Sequence, residues 1–403
     1  MGQENTSRSS TPGAYSPRVV KLWSFFAIVV AFLVAGAVTI RAGLGRRDQW
    51  ILGEWLIDYS AGFTRRGLLG EAIRQLEILF GVDRILVTTL LQLSILAALA
   101  VLLLVLVSSH QRGLTTVLLV VSPAFVLFLL NPLGTMRKEI LLWLLVAAVL
   151  VCSRSGGKTA RKLIPWTLAT AFPLLVLIHE ALVFYAGFVA VMLWLLVSEG
   201  AVSRRNAYFA GGVGTLLTAA AAGVSLLVPG PAGVGERICA TLVATGYDDA
   251  LCSGAIRFLD QDAAFSISRV VDAVTDGNYL GVYLPVVVLS SVPFFFIRWS
   301  KPLAASLALS LVMTLPLFVV AIDWGRWIVI SVWLVTMIVL RFDNSPHITV
   351  TTATKKRTSA VFGVATPVGA VAFATLWSIP HCCEPRIGFG LIDRFEDLLV
   401  IAG

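Results

Sequence analysis

Ile85–Ser108 reads ILVTTLLQLSILAALAVLLLVLVS. No charged residue interrupts it, and a helix of that length reaches across a hydrocarbon core of about 30 Å at about 1.5 Å per residue. Similar apolar runs occur at 22–40, 115–131, 139–152, 163–178, 181–198, 207–229, 279–297, 302–321, 326–341 and 359–379. The whole chain of 403 residues is 58% hydrophobic and 13% charged, with a mean hydropathy of +0.88. That composition lies outside the soluble globular range. The sequence predicts an all-α integral membrane protein of about eleven transmembrane helices. Two of the runs, 139–152 and 163–178, are short for a span, which calls for tilt, local thinning or a re-entrant path. The first run is too long for a secretory signal and no A-x-A-like site follows it, so it reads as a membrane anchor.

Around this polytopic domain (18–380) lie two tails. Residues 1–17, rich in Ser, Thr, Pro and Gly, read as a disordered cytoplasmic tail, and 381–403 as an outer C-terminal tail. With a cytoplasmic N-terminus and alternating spans, the inner segments hold 16 of the 31 basic residues: Arg8, Arg18, Lys21, Arg112, Arg154, Lys158, Arg161, Lys162, Arg204, Arg205, Arg298, Lys301, Arg341, Lys355, Lys356 and Arg357. Only Glu4, Glu199 and Asp343 join them among the 23 acidic residues, as the positive-inside bias requires. The net charge of +8 therefore follows from topology, and no nucleic-acid partner is expected, since no basic-aromatic module accompanies it.

The same topology places Cys239 and Cys252 in the longest polar insertion, about 230–278, on the outer side. A Cys239–Cys252 disulfide is expected there, with two free thiols as the alternative. Cys382 and Cys383 are vicinal and poorly suited to a local bridge; with His381 and Glu384 they form a weak metal-ligand set. Asp248, Asp249, Asp260 and Asp262 in the insertion are of the type that ligates a divalent cation, though such acidic groups are more often solvated. No cofactor is expected, and a divalent metal is left open at these positions.

The first outer loop, 41–84, departs from the charge pattern with Arg41, Arg46, Arg47, Arg65, Arg66, Arg74 and Arg84. It also holds Asp48, Glu54, Asp58, Glu71, Glu77 and Asp83, so a loop of mutually cancelling charges is one reading. After "DYSAGFTRRG" (58–67), the stretch "LLGEAIRQLEILF" sets Leu69, Ile73, Leu76 and Phe80 at helical spacing. An amphipathic helix lying on the outer membrane face is the expected form. Gly62, Gly67 and Gly70 allow a tight approach, presenting Arg65 and Arg66 near the headgroups, where a guanidinium fork suits phosphate.

Three further clusters fall on the same side: Arg137, Lys138 and Glu139 in "TMRKEI", His179 and Glu180 in "LIHEAL", and Asp323 and Arg326 in "AIDWGRW". Ionisable residues at membrane depth are costly and default to functional candidates. Local alternatives exist for each. Asp323 and Arg326 stand at i and i+3 and can pair; His179 can be a satisfied interfacial histidine; Lys138 can snorkel to lipid phosphate. Together they predict an outward cavity walled by apolar spans.

No Walker loop, GxSxG elbow, HExxH or CxxC pair is present, and "GGVG" (211–214) lies in an apolar run and reads as helix packing. A carboxylate in the first outer loop, followed by an interfacial helix, resembles the membrane glycosyltransferases of the C-type fold, which use polyprenyl-linked sugars. The outer arginines with "RKE", "HE" and "DWGR" more loosely resemble bacterial O-antigen and exopolysaccharide polymerases. The resemblance covers roughly residues 20–330 and rests on topology and charged positions; the paired acids frequent in that family are absent here, where Tyr59 follows Asp58.

The resemblance implies glycosyl transfer from a polyprenyl-phosphate or diphosphate sugar donor to a glycan or lipid acceptor, on the outer face of a bacterial plasma membrane. Catalytic residues would be Asp58 as base, with His179 and Glu180 assisting; Arg65, Arg66, Arg137, Lys138, Asp323 and Arg326 would bind substrate. Glu54, one turn before Asp58, would be its partner. A transporter or flippase for a lipid-linked glycan is the rival reading, though no internal repeat is visible.

Overall fold

The computed structural model describes residues 17–45, 48–108, 113–131, 136–228, 230–343, 345–350, 369–380, 387, 388 and 390. Arg46, Arg47, the His381–Glu384 set and nearly all of both tails lie outside the described residues. Described helices are α1 (Pro17–Gly45), α2 (Gly67–Phe80), α3 (Arg84–Ser108), α4 (Gly113–Val120), α5 (Ile140–Ser155), α6 (Lys158–Ile178), α7 (Ala186–Ser198), α8 (Arg204–Leu227), α9 (Val234–Ala244), α10 (Ala263–Thr275), α11 (Tyr279–Ser291), α12 (Lys301–Val320) and α13 (Trp324–Phe342). Two short strands, β1 (Ile297–Trp299) and β2 (Ile348–Val350), pair antiparallel with Arg298 opposite Thr349.

Eight of the described helical stretches are long and apolar enough to cross a membrane: 21–45, 84–108, 158–178, 180–198, 204–227, 279–296, 301–320 and 324–342. Mostly helical and multi-pass in character, the chain matches the all-α class expected. The run 115–131 is not one helix. Helix α4 stops at Val120, and a 3-10 turn resumes at Val126–Leu130. Pro123 explains the break, because it has no N–H to donate and its ring opposes the preceding turn. Residues 359–368 of the last expected run lie outside the described residues.

α13 is the axis of the bundle. All its residues except Trp324 and Arg341 are buried, as expected of a helix apolar around its circumference. Helices α3, α4, α5, α7, α11 and α12 all touch it, while α8, packed on α6, lies at the periphery. Trp143 stacks on Trp333 of α13, the rings 4.1 Å apart and nearly parallel, and Phe125 packs on the same ring at a tilt.

The bundle has two chemically distinct ends. At one, Lys21 donates to the Ser108 carbonyl, Arg341 contacts Glu199 at 3.0 Å and bonds Ser153, and β1–β2 closes the chain near Lys301. The other gathers residues 48–66, 136–139, 179–180, 230–262 and 323–326. Helix α5 has 16 residues, about 24 Å of rise, short of a full hydrocarbon core, and its start is the non-helical segment Met136–Glu139. The short helix leaves that segment, with its three charges, buried in the bundle.

Candidate functional site

The segment after α1 enters the ionic end as a 3-10 turn, Gly53–Leu56, with two differently employed faces. Trp55 turns into the main core and donates its indole N–H to the Met136 carbonyl at 2.7 Å, while Gln92 of α3 donates to the Ile51 carbonyl at 2.8 Å. Leu52, Leu56 and Ile57 turn outward into a second, smaller core with Val234, Ile238, Leu242, Leu251, Ala255 and Ile256 of the insertion. That cap is stapled by the Cys239–Cys252 disulfide. A side chain at Gly53 would stand 2.8 Å from the Leu251 carbonyl, so cap and turn touch backbone to backbone.

Between the two cores sits Glu54, with no solvent exposure. Its Oε2 lies 2.6 Å from Arg137 Nε and its Oε1 3.3 Å from His179 Nε2. The same imidazole nitrogen lies 3.4 Å from Glu139 Oε1, and Glu139 contacts Arg326 at 2.9 Å. Arg326 reaches on to Asp323 at 3.3 Å. The chain of contacts Arg137–Glu54–His179–Glu139–Arg326–Asp323 thus joins the first loop, the approach to α5, the end of α6 and the start of α13. These are charges in close contact rather than aligned hydrogen bonds: both oxygens of Glu54 and of Glu139, and both nitrogens of His179, are sealed from solvent without a well-directed partner. The distances set the electrostatics and the poor directions leave bonding capacity unused. Burial alone would raise the Glu54 carboxyl, but the Arg137 guanidinium, followed by His179, holds it well below the usual range.

Beside this chain stands a second set. Arg66 clasps Glu180 with Nε donating to both carboxylate oxygens, at 3.0 and 2.9 Å, and Nη2 to Oε1 at 2.6 Å. Lys138 Nζ donates to the Arg66 carbonyl at 2.6 Å. Arg66 itself takes φ +66°, a left-handed conformation that costs a non-glycine residue about 1–3 kcal/mol and that its surroundings must enforce. Its side-chain clasp on Glu180 and the Lys138 bond to its carbonyl do so. Burial works against the Arg66 charge, yet Glu180 raises its pKa above the ordinary value; burial pushes the Lys138 ammonium down to about 8.

"RRGLLG" has a steric reading too. A methyl at Gly70 would stand 2.0 Å from the Ile57 carbonyl, so the first turn of α2 packs directly on the chain that carries Asp58.

Asp58 belongs elsewhere. Its Oδ2 accepts from Arg84 Nη1 at 2.9 Å and its Oδ1 from the Ser60 N–H at 2.9 Å, with the residue wholly buried. Arg84 also binds Glu77 of α2, and Tyr247 of the cap donates to Glu77 at 2.8 Å while accepting from the Arg84 N–H. The two oxygens of Asp58 face a latch that ties loop, α2, α3 and cap. Arg65 points to the cap, reaching the Gln261 carbonyl at 3.4 Å.

Of the residues expected from sequence, Arg66, Arg137, Lys138, His179, Glu180, Asp323 and Arg326 converge on one end. Glu54 and Glu139 are the carboxylates that meet His179, a role sequence reasoning did not give them. The available signal was context: Glu54 interrupts the apolar stretch "ILGEWLI", whereas Asp58 opens a polar one. Cys239 and Cys252 are bonded to each other, so their sulfurs do not stand free beside Asp249 for a metal. A hollow lined by Pro123, Phe128, Asn131, Trp377 and Ile379 lies outside the network, sharing no residue with it. Comparison with protein-family models, curated proteins and solved structures returns no match. The fold and site define a multi-pass helical membrane protein with a sealed ionic network at one end.

Proposed function

We propose that this protein is a glycosyltransferase that moves a sugar from a polyprenyl-phosphate or diphosphate donor to a glycan or lipid acceptor, in cell-envelope glycan synthesis. It works on the outer face of a bacterial plasma membrane, with a cytoplasmic N-terminus and about eleven spans. The observation that carries this reading is the buried contact chain through Glu54, His179 and Glu139, flanked by Arg66, Arg137, Lys138 and Arg326. Charges taken out of water at such cost are characteristic of substrate sites in membrane proteins.

In this reading Glu54 replaces Asp58 as the base. An ionised carboxylate accepts the acceptor hydroxyl proton as the new C1–O bond forms, and the old C1–O bond breaks with its electron pair passing to the donor phosphate. Arg66, Arg137 and Arg326 offset the charge gathering on that leaving group, with Lys138 in support. An arriving phosphate competes with Glu180 for Arg66, so binding loosens the clasp. His179, between two carboxylates, orients Glu54 and passes its proton on. Asp58 holds the loop that carries Glu54.

The test is binding and turnover by purified protein with a panel of polyprenyl-phosphate and polyprenyl-diphosphate sugars. Glu54→Gln is expected to lose turnover while retaining donor binding, and Arg66→Ala to lose binding. Binding without turnover in the unaltered protein would transfer the reading to a lipid-linked glycan transporter. Absence of binding throughout would leave the network as structural pairing.

A further inference from the structure

The insertion contains a helix the proposed reaction does not use. Going round α10, Ala273, Val270 and Val274 come first; Val270 is buried and the other two pack against the main core. Ala264, Ile267 and Val271 come next and are exposed, with Ile267 at 39% and Val271 at 52%. Ser268, Asp272 and Arg269, all exposed, make up most of the remaining sector, interrupted in the first turn by Phe265 at 40% exposure. A helix in water with one face on protein needs only two sectors, apolar inward and polar outward. Three sectors, protein-facing, exposed apolar and polar, are what a helix needs where protein, lipid and water meet.

α2 shows the same order. Gly70 and Ile73 are buried; Ala72, Leu76, Leu79 and Phe80 are exposed and apolar; Glu71, Arg74 and Gln75 make up most of the remaining sector, which exposed Ile78 joins in the last turn. The position of α10 fits as well. It packs on α11 and α12, both membrane-crossing stretches, and the chain passes from its end almost directly into α11. Exposed Leu280 and Leu284 of α11 and Leu315, Val319 and Val320 of α12 continue the apolar surface at that end.

We infer that α10 is a second membrane-surface helix, with Ile267 and Val271 seated in the lipid of the same leaflet as α2. The occupant of its apolar sector is bilayer lipid, because that sector is continuous with the lipid-facing surface of α11 and α12. The carbonyl of Gln261, two residues before α10, accepts from Arg65, two residues before α2. The two surface helices are therefore joined at their starts, with Arg65 held at headgroup level between them. This inference requires that the chain spans a membrane, but not that it transfers sugars.

Spin labels test it directly. With Cys152, Cys382 and Cys383 changed to serine and the disulfide kept, single cysteines at Ile267, Val271, Arg269 and, on α2, Leu79 are labelled with a nitroxide. The protein is placed in nanodiscs of phosphatidylethanolamine and phosphatidylglycerol. The ratio of oxygen to nickel-chelate accessibility is expected to be several-fold higher at Ile267, Val271 and Leu79 than at Arg269. Equal ratios at Ile267, Val271 and Arg269 would put α10 in water, and protection of Ile267 and Val271 from both probes would put protein over them; either result overturns the inference. As a second measurement, Ile267→Glu combined with Val271→Glu should raise protease cleavage of the insertion in nanodiscs several-fold, and unchanged cleavage counts against it.

Discussion

Glu54 and Asp58 stand one helical turn apart in the same loop, both are wholly buried, and they belong to different machines. Glu54 faces down into the bundle, among groups from the approach to α5, the end of α6 and, through His179 and Glu139, the start of α13. Asp58 faces sideways to Arg84 and, through it, to α2 and the cap. The Asp58 cluster is made of aligned bonds whose donors and acceptors match, as in a structural joint. In the Glu54 network the charges touch without aligned bonds, leaving capacity for something else. Burial and charge alone do not tell the two clusters apart; the state of the bonding does.

The sharpest way to break this comparison is to remove Glu54 itself. Glu54→Ala leaves Arg137 buried without its carboxylate, and loss of one partner of a buried pair costs about 3–5 kcal/mol. A large fall in the melting temperature of detergent-solubilised protein is expected, whereas Glu54→Gln, which keeps the volume, should fall much less. Equal falls would mean that the loss of charge, common to both substitutions, sets the whole cost and that side-chain volume adds nothing.

Next comes the staple. The Cys239–Cys252 loop is short, and removing such a cross-link costs about 3 kcal/mol in the chain-entropy account. The effect should stay within the cap and the turn it holds: Cys239→Ser with Cys252→Ser is expected to raise hydrogen exchange over 48–66 and 230–260 while leaving α13 protected. Uniform loss of protection would show that cap and bundle form one cooperative unit.

Lys138 gives a comparison in pH. Its folded pKa, about 8, lies below the ordinary 10.5, so folded and unfolded chains are both protonated below about pH 8 and the full cost of the buried charge is felt there. Between about 8 and 10.5 the folded chain has released a proton that the unfolded chain keeps, and this contribution rises with pH by roughly 3 kcal/mol. The gap in melting temperature between Lys138→Met and the unaltered protein should therefore narrow from about pH 7.5 to about pH 9.5. A constant gap would place the ammonium in contact with water.

The smallest effect is expected at Asp58. Asp58→Asn keeps the shape and the Ser60 contact, and Arg84 keeps Glu77, so the loss should be about 1–2 kcal/mol, with donor binding reduced only slightly. Abolished turnover with unchanged stability would return the base role to Asp58 and reverse the comparison.

Length, apolar runs and charge asymmetry were enough to read a polytopic helical protein, because in lipid each span must satisfy its own backbone and stay apolar along its length. The disulfide and the gathering of "RKE", "HE" and "DWGR" at one end were legible from the alternation of apolar runs, and the amphipathic α2 from the helical spacing of its apolar residues. Pro123 was visible as a residue, but where the run at 115–131 breaks, between a helix ending at Val120 and a 3-10 turn at Val126–Leu130, was seen only in the structure. Which acid meets His179 was decided only in three dimensions. The 3-10 turn at Gly53–Leu56 sends Glu54 and Trp55 inward and Leu52, Leu56 and Ile57 outward, and that rotation is set by two cores closing on one short segment from opposite sides. No local pattern in the chain encodes a choice that both cores make together.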